Sequence, residues 1–320
     1  MSESGLKART AASGLRGALA DGRFVVTAEV APPRDADTEA IARKVGALRG
    51  WVDAANVTDN QGGNVRMSSL AGSILVQRAG LDPVMQLTCR DRNRLALQSD
   101  LIGAAALGIR NVLLLTGDHP TLGDHPDAKP VFDLDGVQLV WTARTLRDEG
   151  TLLSGKRLGV RPSWLIGTVE NPFAPPAELR ARRLAKKVAA GAEFVQTQYV
   201  FDVDAFARWL RPLRDEGVTE RCAVIAGVGP IRSRRMLSFL TGTVPGIHVP
   251  ESVRRRLAGV PEQRVEEEGR RVCVETIEAL AALDGVRGVH LMVFGHEDEV
   301  PDIVRQAGIR QATKGGDDAD

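Results

Sequence analysis

The stretch PVMQLTCRDRNRLALQSDLIGAAALGIRNVLLLTG, residues 83–117, contains the unit from which the fold is built. Its ends, Pro83–Cys89 and Asn111–Gly117, are short runs rich in Val, Leu and Met, as expected of parallel strands buried on both faces. Between them Leu97, Leu101, Ala104 and Ala105 recur at i, i+4, i+7 and i+8, which is one face of a helix over Asn93–Leu107. Gly103 to Ala106 are small, so this helix can approach a strand closely. Gly108 follows as a left-handed terminator. Strand, helix and parallel strand in this order form a right-handed crossover.

The same alternation runs along the chain. Eight β-rich runs recur: Phe24–Val30, Asp53–Asp59, Pro83–Cys89, Asn111–Gly117, Leu158–Val169, Phe194–Phe201, Cys222–Val228 and Val289–Gly295. In Glu262–Leu283 the residues Cys273, Ile277, Leu280 and Ala281 repeat the helical spacing. Asp202 is placed to cap a helix over Val203–Arg211, and Pro175 and Pro176 open one over Ala177–Ala190. Gly80, Gly150, Gly191 and Gly217 end helices as Gly108 does. Eight strand–helix units predict an α/β protein, a (β/α)8 TIM barrel in a single domain. An open doubly wound sheet is the competing fold, but no Gly-x-Gly-x-x-Gly follows the first strand. The expected organisation is a mobile N-terminal segment over 1–20, a catalytic barrel over 21–309 and a disordered tail over 310–320.

Composition narrows the function. In 320 residues, 42 Lys and Arg face 41 Asp and Glu, a net charge of +1, which argues against a polyanion as the main partner. Aromatics are only 4 %, too few for a platform that stacks nucleic-acid bases. Cys89, Cys222 and Cys273 are odd in number and lack paired spacing, against a disulfide framework or a zinc ribbon. Neither an apolar leader nor a run of about 18 apolar residues is present, so the expectation is a soluble cytoplasmic protein with no membrane or nucleic-acid partner.

Barrel enzymes carry their chemistry at the C-terminal ends of the strands. Polar residues collect there in five strands: Glu29 after Val25–Ala28; Thr58, Asp59, Asn60 and Gln61; Gln86 and Thr88; Thr116, Gly117 and Asp118; and Gln196 and Gln198. Glu29 and Asp118 are the sharpest candidates. A carboxylate in or beside an apolar strand is costly unless paired or protonated, and a buried Glu tuned to roughly 6–7 acts as a general acid near neutral pH. Gly-Asp-His-Pro occurs twice, at 117–120 and 123–126, but His119 and His125 have no zinc spacing, so no metal is expected. Lys186 and Lys187 lie late in the fifth helix beside Arg182 and Arg183, a solvated basic face or a phosphate contact.

At these rim residues the sequence resembles the methylenetetrahydrofolate reductase family, from about Phe24 to Ile309. The blocks that carry the likeness are Thr27–Pro33, Val57–Asp59, Gln86–Asn93, Gly108–Asn111, Leu115–Asp118, Lys187–Ala192, Gln196–Gln198 with Phe201-Asp202, and Ala226–Pro230. Glu170-Asn171-Pro172-Phe173-Ala174 is similar to a branch that includes forms from acetogens and one-carbon degraders. The resemblance implies a flavin-using barrel that interconverts 5,10-methylenetetrahydrofolate and 5-methyltetrahydrofolate, with FAD or FMN reduced by NADH or NADPH.

It also implies roles. Glu29 is the general acid that helps open the folate's five-membered ring to an iminium cation, and Asp118 stabilises cationic character. Gln198 and Gln196 meet the folate. Thr58, Gln86, Thr88, Thr116, Gly117, Asn171 and Lys187 meet the flavin, with Lys187 near its phosphates. The chain departs from the well-known bacterial pattern where Thr116 replaces an arginine and Arg180 an aspartate, and where Ile231–Met236 lacks a folate-stacking aromatic. Those departures leave FAD, FMN and direct transfer without flavin open. The same chemistry could also run oxidatively in one-carbon catabolism. Two further readings compete with the reductase: a barrel lyase acting on a phosphorylated substrate, and a non-catalytic folate-binding subunit. A homo-oligomer or an electron-donor subunit completes the expected partners.

Overall fold

The computed structural model describes residues 14–244 and 246–310. Its eight strands are β1 (Val25–Val30), β2 (Ala54–Val57), β3 (Pro83–Thr88), β4 (Asn111–Leu115), β5 (Leu165–Glu170), β6 (Phe194–Tyr199), β7 (Ala223–Val228) and β8 (Val286–Leu291). Each pairs in parallel with its sequence neighbour, and β8 returns to β1 through Val25↔Gly288 and Thr27↔His290, closing the barrel. The surrounding helices are α1 (Leu15–Ala20), α2 (Thr38–Leu48), α3 (Ser69–Arg78), α4 (Arg94–Ala106), α5 (Gly136–Arg144), α6 (Arg180–Ala190), α7 (Val203–Asp215), α8 (Val218–Arg221), α9 (Arg234–Gly242), α10 (Glu251–Ala258), α11 (Val265–Ala281) and α12 (Val300–Gln306). The single-domain (β/α)8 barrel expected from the alternation is the fold observed.

Local chemistry sets the boundaries. Asn93 caps α4, its side chain accepting from the amides of Leu95 and Ala96. Asp202 caps α7 through Ala205, and Asp135 with Gln138 forms a capping box on α5. Each cap is worth about 1 kcal/mol. The five glycines expected at helix exits all have positive φ. At Gly191 (φ 125°) a Cβ would also stand 2.8 Å from Cδ of Arg144, so the left-handed turn and the close approach both require glycine.

Three boundaries differ from expectation. The fifth strand begins at Leu165, not Leu158: Pro162 interrupts the run and Val160 is exposed. The eighth strand lies earlier, ending at Leu291, because Phe294 (φ 46°) and Gly295 (φ 87°) turn left-handed. The segment expected to be mobile through Ala20 instead forms α1 from Leu15 onward, and Arg310, assigned to the tail, pairs with Asp53 at 2.5 Å. The remainder of both expected tails, residues 1–13 and 311–320, lies outside the described residues.

Inside the barrel, side chains two residues apart form layers. The lowest is apolar: Val25, Ala54, Val84, Leu113, Leu165, Phe194 and Ile225. Leu15 and Ala18 of α1 are fully buried against it from below. α1 is held there by Leu15 N donating to Asp82 Oδ2 (3.1 Å) and by Arg287 donating to the Leu19 carbonyl (3.1 Å). The Phe194 ring is accommodated by Gly167, where a Cβ would stand 2.1 Å from Cζ. Above this floor the next layer is polar. The amides of Asn56 and Gln196 donate to each other (2.5 and 3.0 Å), Gln196 Nε2 also donates to Thr27 Oγ1 (3.2 Å), and Thr27 meets His290.

Candidate active site

The mouth of the barrel is the next layer up. Glu29, next to last in β1, is 7 % exposed. Burial pushes its carboxyl from 4.5 up to about 7; the nearby Glu297 adds to the rise, while the hydrogen bond from Gln61 and the charges of Lys44 and Arg66 oppose it. Gln61, in the turn after β2, donates from Nε2 to Glu29 Oε1 at 3.0 Å. Lys44 on α2 is itself held by Glu297 (2.9 Å) and the Ala31 carbonyl (3.2 Å). The result is a carboxyl near its midpoint at neutral pH, as proton transfer to a reacting group requires.

Asp118 differs from what its sequence setting suggests. It lies beyond the end of β4 and is exposed, so the burial argument that singles it out in the sequence does not apply. Its carbonyl accepts from Arg90 Nη1 at 3.3 Å. The same loop separates the members of the repeated Gly-Asp-His-Pro. His119 stacks on Phe132 and meets Thr121 Oγ1 at 2.9 Å, while Asp124 accepts from the amide of Val65.

The remaining candidates divide into open and occupied groups. Gln198 is half-buried at the end of β6; its Oε1 accepts from Tyr199 N (3.0 Å), and its amide N–H groups have no partner among the described residues. Gln86 is half-buried in the interior column of β3, also without a partner there. Thr58 Oγ1 is buried with no partner among the described residues. Gly117 (φ 91°) brings backbone to the end of β3, where a Cβ would stand 3.0 Å from Thr88 Cβ.

Gln196, by contrast, uses both its amide nitrogen and its oxygen on Asn56 and Thr27, one layer below the mouth. Thr88 gives its hydroxyl to Asp59 (2.9 Å), which Arg92 clamps at 2.8 and 3.1 Å. Thr116 Oγ1 accepts from Gly136 N (3.2 Å) at the start of α5, and Asn171 Oδ1 accepts from Phe173 N (3.1 Å). Lys187, 6 % exposed, donates to Glu170 Oε2 (3.0 Å) and to the Val169 carbonyl, with Arg180 3.8 Å from the other oxygen of Glu170.

A flavin can be tested against these groups. Its ring is flat and edged with hydrogen-bonding atoms, which suits the orphaned Thr58 hydroxyl, the open amide of Gln86 and the backbone approach at Gly117. The phosphate contact expected of Lys187 does not fit, because its ammonium is buried and already neutralised by Glu170.

Two residues of the mouth carry no role in the sequence reading. Gln61 stands in a polar run at the end of strand two, but its partner is 32 positions away, beyond any local signal. Phe294 is an exposed, left-handed aromatic at the β8 rim, 6.2 Å from the Tyr199 ring. Placing strand eight over Val289–Gly295 hides it inside a strand, whereas the true end at Leu291 puts it on the rim.

A family model described as methylenetetrahydrofolate reductase matches residues 15–308, almost the whole barrel. The chain belongs to that family. Among its relatives, 5,10-methylenetetrahydrofolate reductase of Pectobacterium carotovorum is 25 % identical over 297 residues, covering 90 % of this chain and 92 % of its own. The "probable methylenetetrahydrofolate reductase (NADPH)" of Caenorhabditis elegans is 26 % identical over 76 % of this chain, which spans 34 % of that protein. The chain thus covers about a third of the length of that eukaryotic relative and of one from Schizosaccharomyces pombe.

Among solved structures, a Clostridium thermocellum protein described as binding two copies of 5-methyl-5,6,7,8-tetrahydrofolic acid superposes with a TM-score of 0.63 at 13 % identity, covering 92 % of this chain and 97 % of its own. DmoA of Hyphomicrobium sulfonivorans superposes at 0.53 with 12 % identity, covering 88 % and 86 %. Both likenesses are of fold.

Proposed function

We propose that this chain interconverts 5,10-methylenetetrahydrofolate and 5-methyltetrahydrofolate by hydride transfer, with Glu29 as the general acid. The observation that carries it is the Glu29 carboxyl, buried at the barrel mouth and pushed up to about 7. Opening the folate's five-membered ring needs a proton on the departing ring nitrogen and leaves an iminium cation, which accepts hydride at the methylene carbon. Glu29 supplies the proton. Once ionised, it leaves a carboxylate in a dry site, where a fixed negative charge favours the cation. Gln198 offers its open amide to the folate, and Asp118 adds a second carboxylate at the rim.

Family relatives named for NADPH and for NADH support a reduced nicotinamide as the hydride source. Thr58, Gln86 and Gly117 are the residues that would hold the ring of a flavin, FAD or FMN, and the chemistry such a group would supply is carriage of the hydride between nicotinamide and folate. The solved structure described with 5-methyl-5,6,7,8-tetrahydrofolic acid supports a folate as the partner of this barrel.

The test is turnover of purified protein with NADH or NADPH and methylenetetrahydrofolate, read with the visible spectrum. The expected result is oxidation of nicotinamide only when folate is present, with a flavin spectrum that bleaches and returns. Turnover by colourless protein would move the hydride route to direct transfer, and no folate-dependent oxidation with either donor would overturn the assignment.

A further inference from the structure

We propose that Gln61 is the positioning residue for Glu29: its amide N–H occupies Oε1, leaving the acid proton on Oε2, and a seam between two rim loops holds Gln61 in place. The inference rests on Glu29 being the general acid. Among the described residues, it is Gln61 that hydrogen-bonds the Glu29 carboxyl, at 3.0 Å. The charged groups near that carboxyl are engaged elsewhere. Lys44 of α2 binds Glu297, in the turn before α12, and Arg66 of the β2 loop donates to the Pro32 carbonyl at 2.9 Å. A carboxyl oxygen that accepts an N–H cannot also carry the acid proton toward that N–H, so the proton sits on the other oxygen.

The loop that delivers Gln61 is coiled and braced. Asn60, Gly62 and Gly63 all have positive φ (45°, 64° and 76°). Asparagine is among the few non-glycine residues that adopt this conformation readily, and neighbouring groups hold it there. Here Asn60 Oδ1 accepts from Arg66 N (3.0 Å), and its carbonyl accepts from Arg90 Nη2 (3.1 Å). Beyond Gln61 the loop meets the loop after β4 backbone to backbone, since a Cβ on Gly123 would stand 1.9 Å from the Gly63 carbonyl oxygen. Asp124 closes the seam, its oxygens 3.1 and 3.2 Å from Val65 N. The seam therefore ties the loop that carries Asp118 to the residue that orients Glu29.

The experiment uses Gln61→Met, which keeps the length and removes the donor, and two seam variants, Gly123→Ala and Asp124→Ala. Glu29 is followed by carboxyl carbon NMR in the free protein and by the pH profile of folate reduction. A donor to the ionised carboxylate favours it, so its loss should move the Glu29 titration to higher pH. The alkaline limb of the rate should move with it, and kcat should fall about tenfold or more from lost orientation. The seam variants should move the titration in the same direction, and a double variant with Gln61→Met should be no worse than Gln61→Met alone.

A fall in kcat with an unmoved Glu29 titration would overturn the proposal. A titration moved by Gln61→Met but by neither seam variant would overturn the part played by the seam. If the wild-type protein reduces no folate, it is the functional assignment that fails, and the NMR titration still decides whether Gln61 controls Glu29.

Discussion

The Thr27 hydroxyl lies 2.9 Å from Nδ1 of His290, a buried contact between the first and last strands where the barrel closes. Burial depresses the His290 imidazole from 6.5 to about 3, so it stays neutral through the ordinary range. The unfolded chain takes up a proton below about 6.5 and the folded chain does not, so stability should fall as pH drops from 6.5 toward 3. From this group alone the loss between about pH 6.5 and 5 should be about 1–2 kcal/mol. His290→Asn should be less stable than wild type at neutral pH, yet its urea midpoint should fall less steeply over that acid range. Parallel slopes would refute the assignment.

Glu29 has the opposite linkage. Its folded carboxyl holds a proton up to about 7, while the unfolded one releases it near 4.5. Stability should therefore fall as pH rises from 4.5 through 7. Glu29→Gln removes that loss, and at about pH 8 it should be more stable by about 2–3 kcal/mol, measured by urea unfolding. Folate reduction should fall by about 10²–10⁴. In the wild type the rate should decline as pH rises through about 7, because the acid must be protonated. A variant equal to wild type in stability and rate would refute both roles.

Glu170 and Lys187 form a buried ion pair at the top of β5. Burial lowers the Lys187 ammonium below its usual range, opposed by the Glu170 charge. Glu170→Gln leaves a buried cation short of its partner and should cost about 3 kcal/mol. Replacing both, with Lys187→Met added, should recover much of that loss in chemical denaturation. If the single variant proves neutral, Lys187 is free to leave the pair, and the phosphate contact expected from the sequence becomes available to it.

Gly167 of β5 lies beside its register partner Phe194 of β6, whose ring covers it at the barrel floor. Gly167→Ala should destabilise by about 1–3 kcal/mol through overpacking. Phe194→Leu, costly alone, should partly rescue it in a double-mutant cycle followed by thermal unfolding; simple additivity would show that the two do not share the space.

The barrel is legible in the sequence because strands buried on both faces leave apolar runs, and because caps such as Asn93 and Asp202 are local chemistry. Glu29 is legible for a related reason: a carboxylate ending such a run has few ways to be tolerated. Strand parity places Gln196 and Gln198 both inside the barrel, but it does not say which layer is the mouth. Gln196 is hydrogen-bonded to Asn56 and Thr27, a layer below Glu29. Asp118 looks buried from its apolar neighbours in the sequence, but those end before the chain turns outward. The pairs Gln61–Glu29 and Lys187–Glu170 depend on contacts between separate elements, and no spacing rule contains them.

Helix α1, seated under the barrel by Leu15 and Ala18, covers the end of the packed interior opposite Glu29 among the described residues. On the proposed function, hydride donor, folate and product would share the threshold above Glu29. On that reading, product release and donor entry should compete at the mouth.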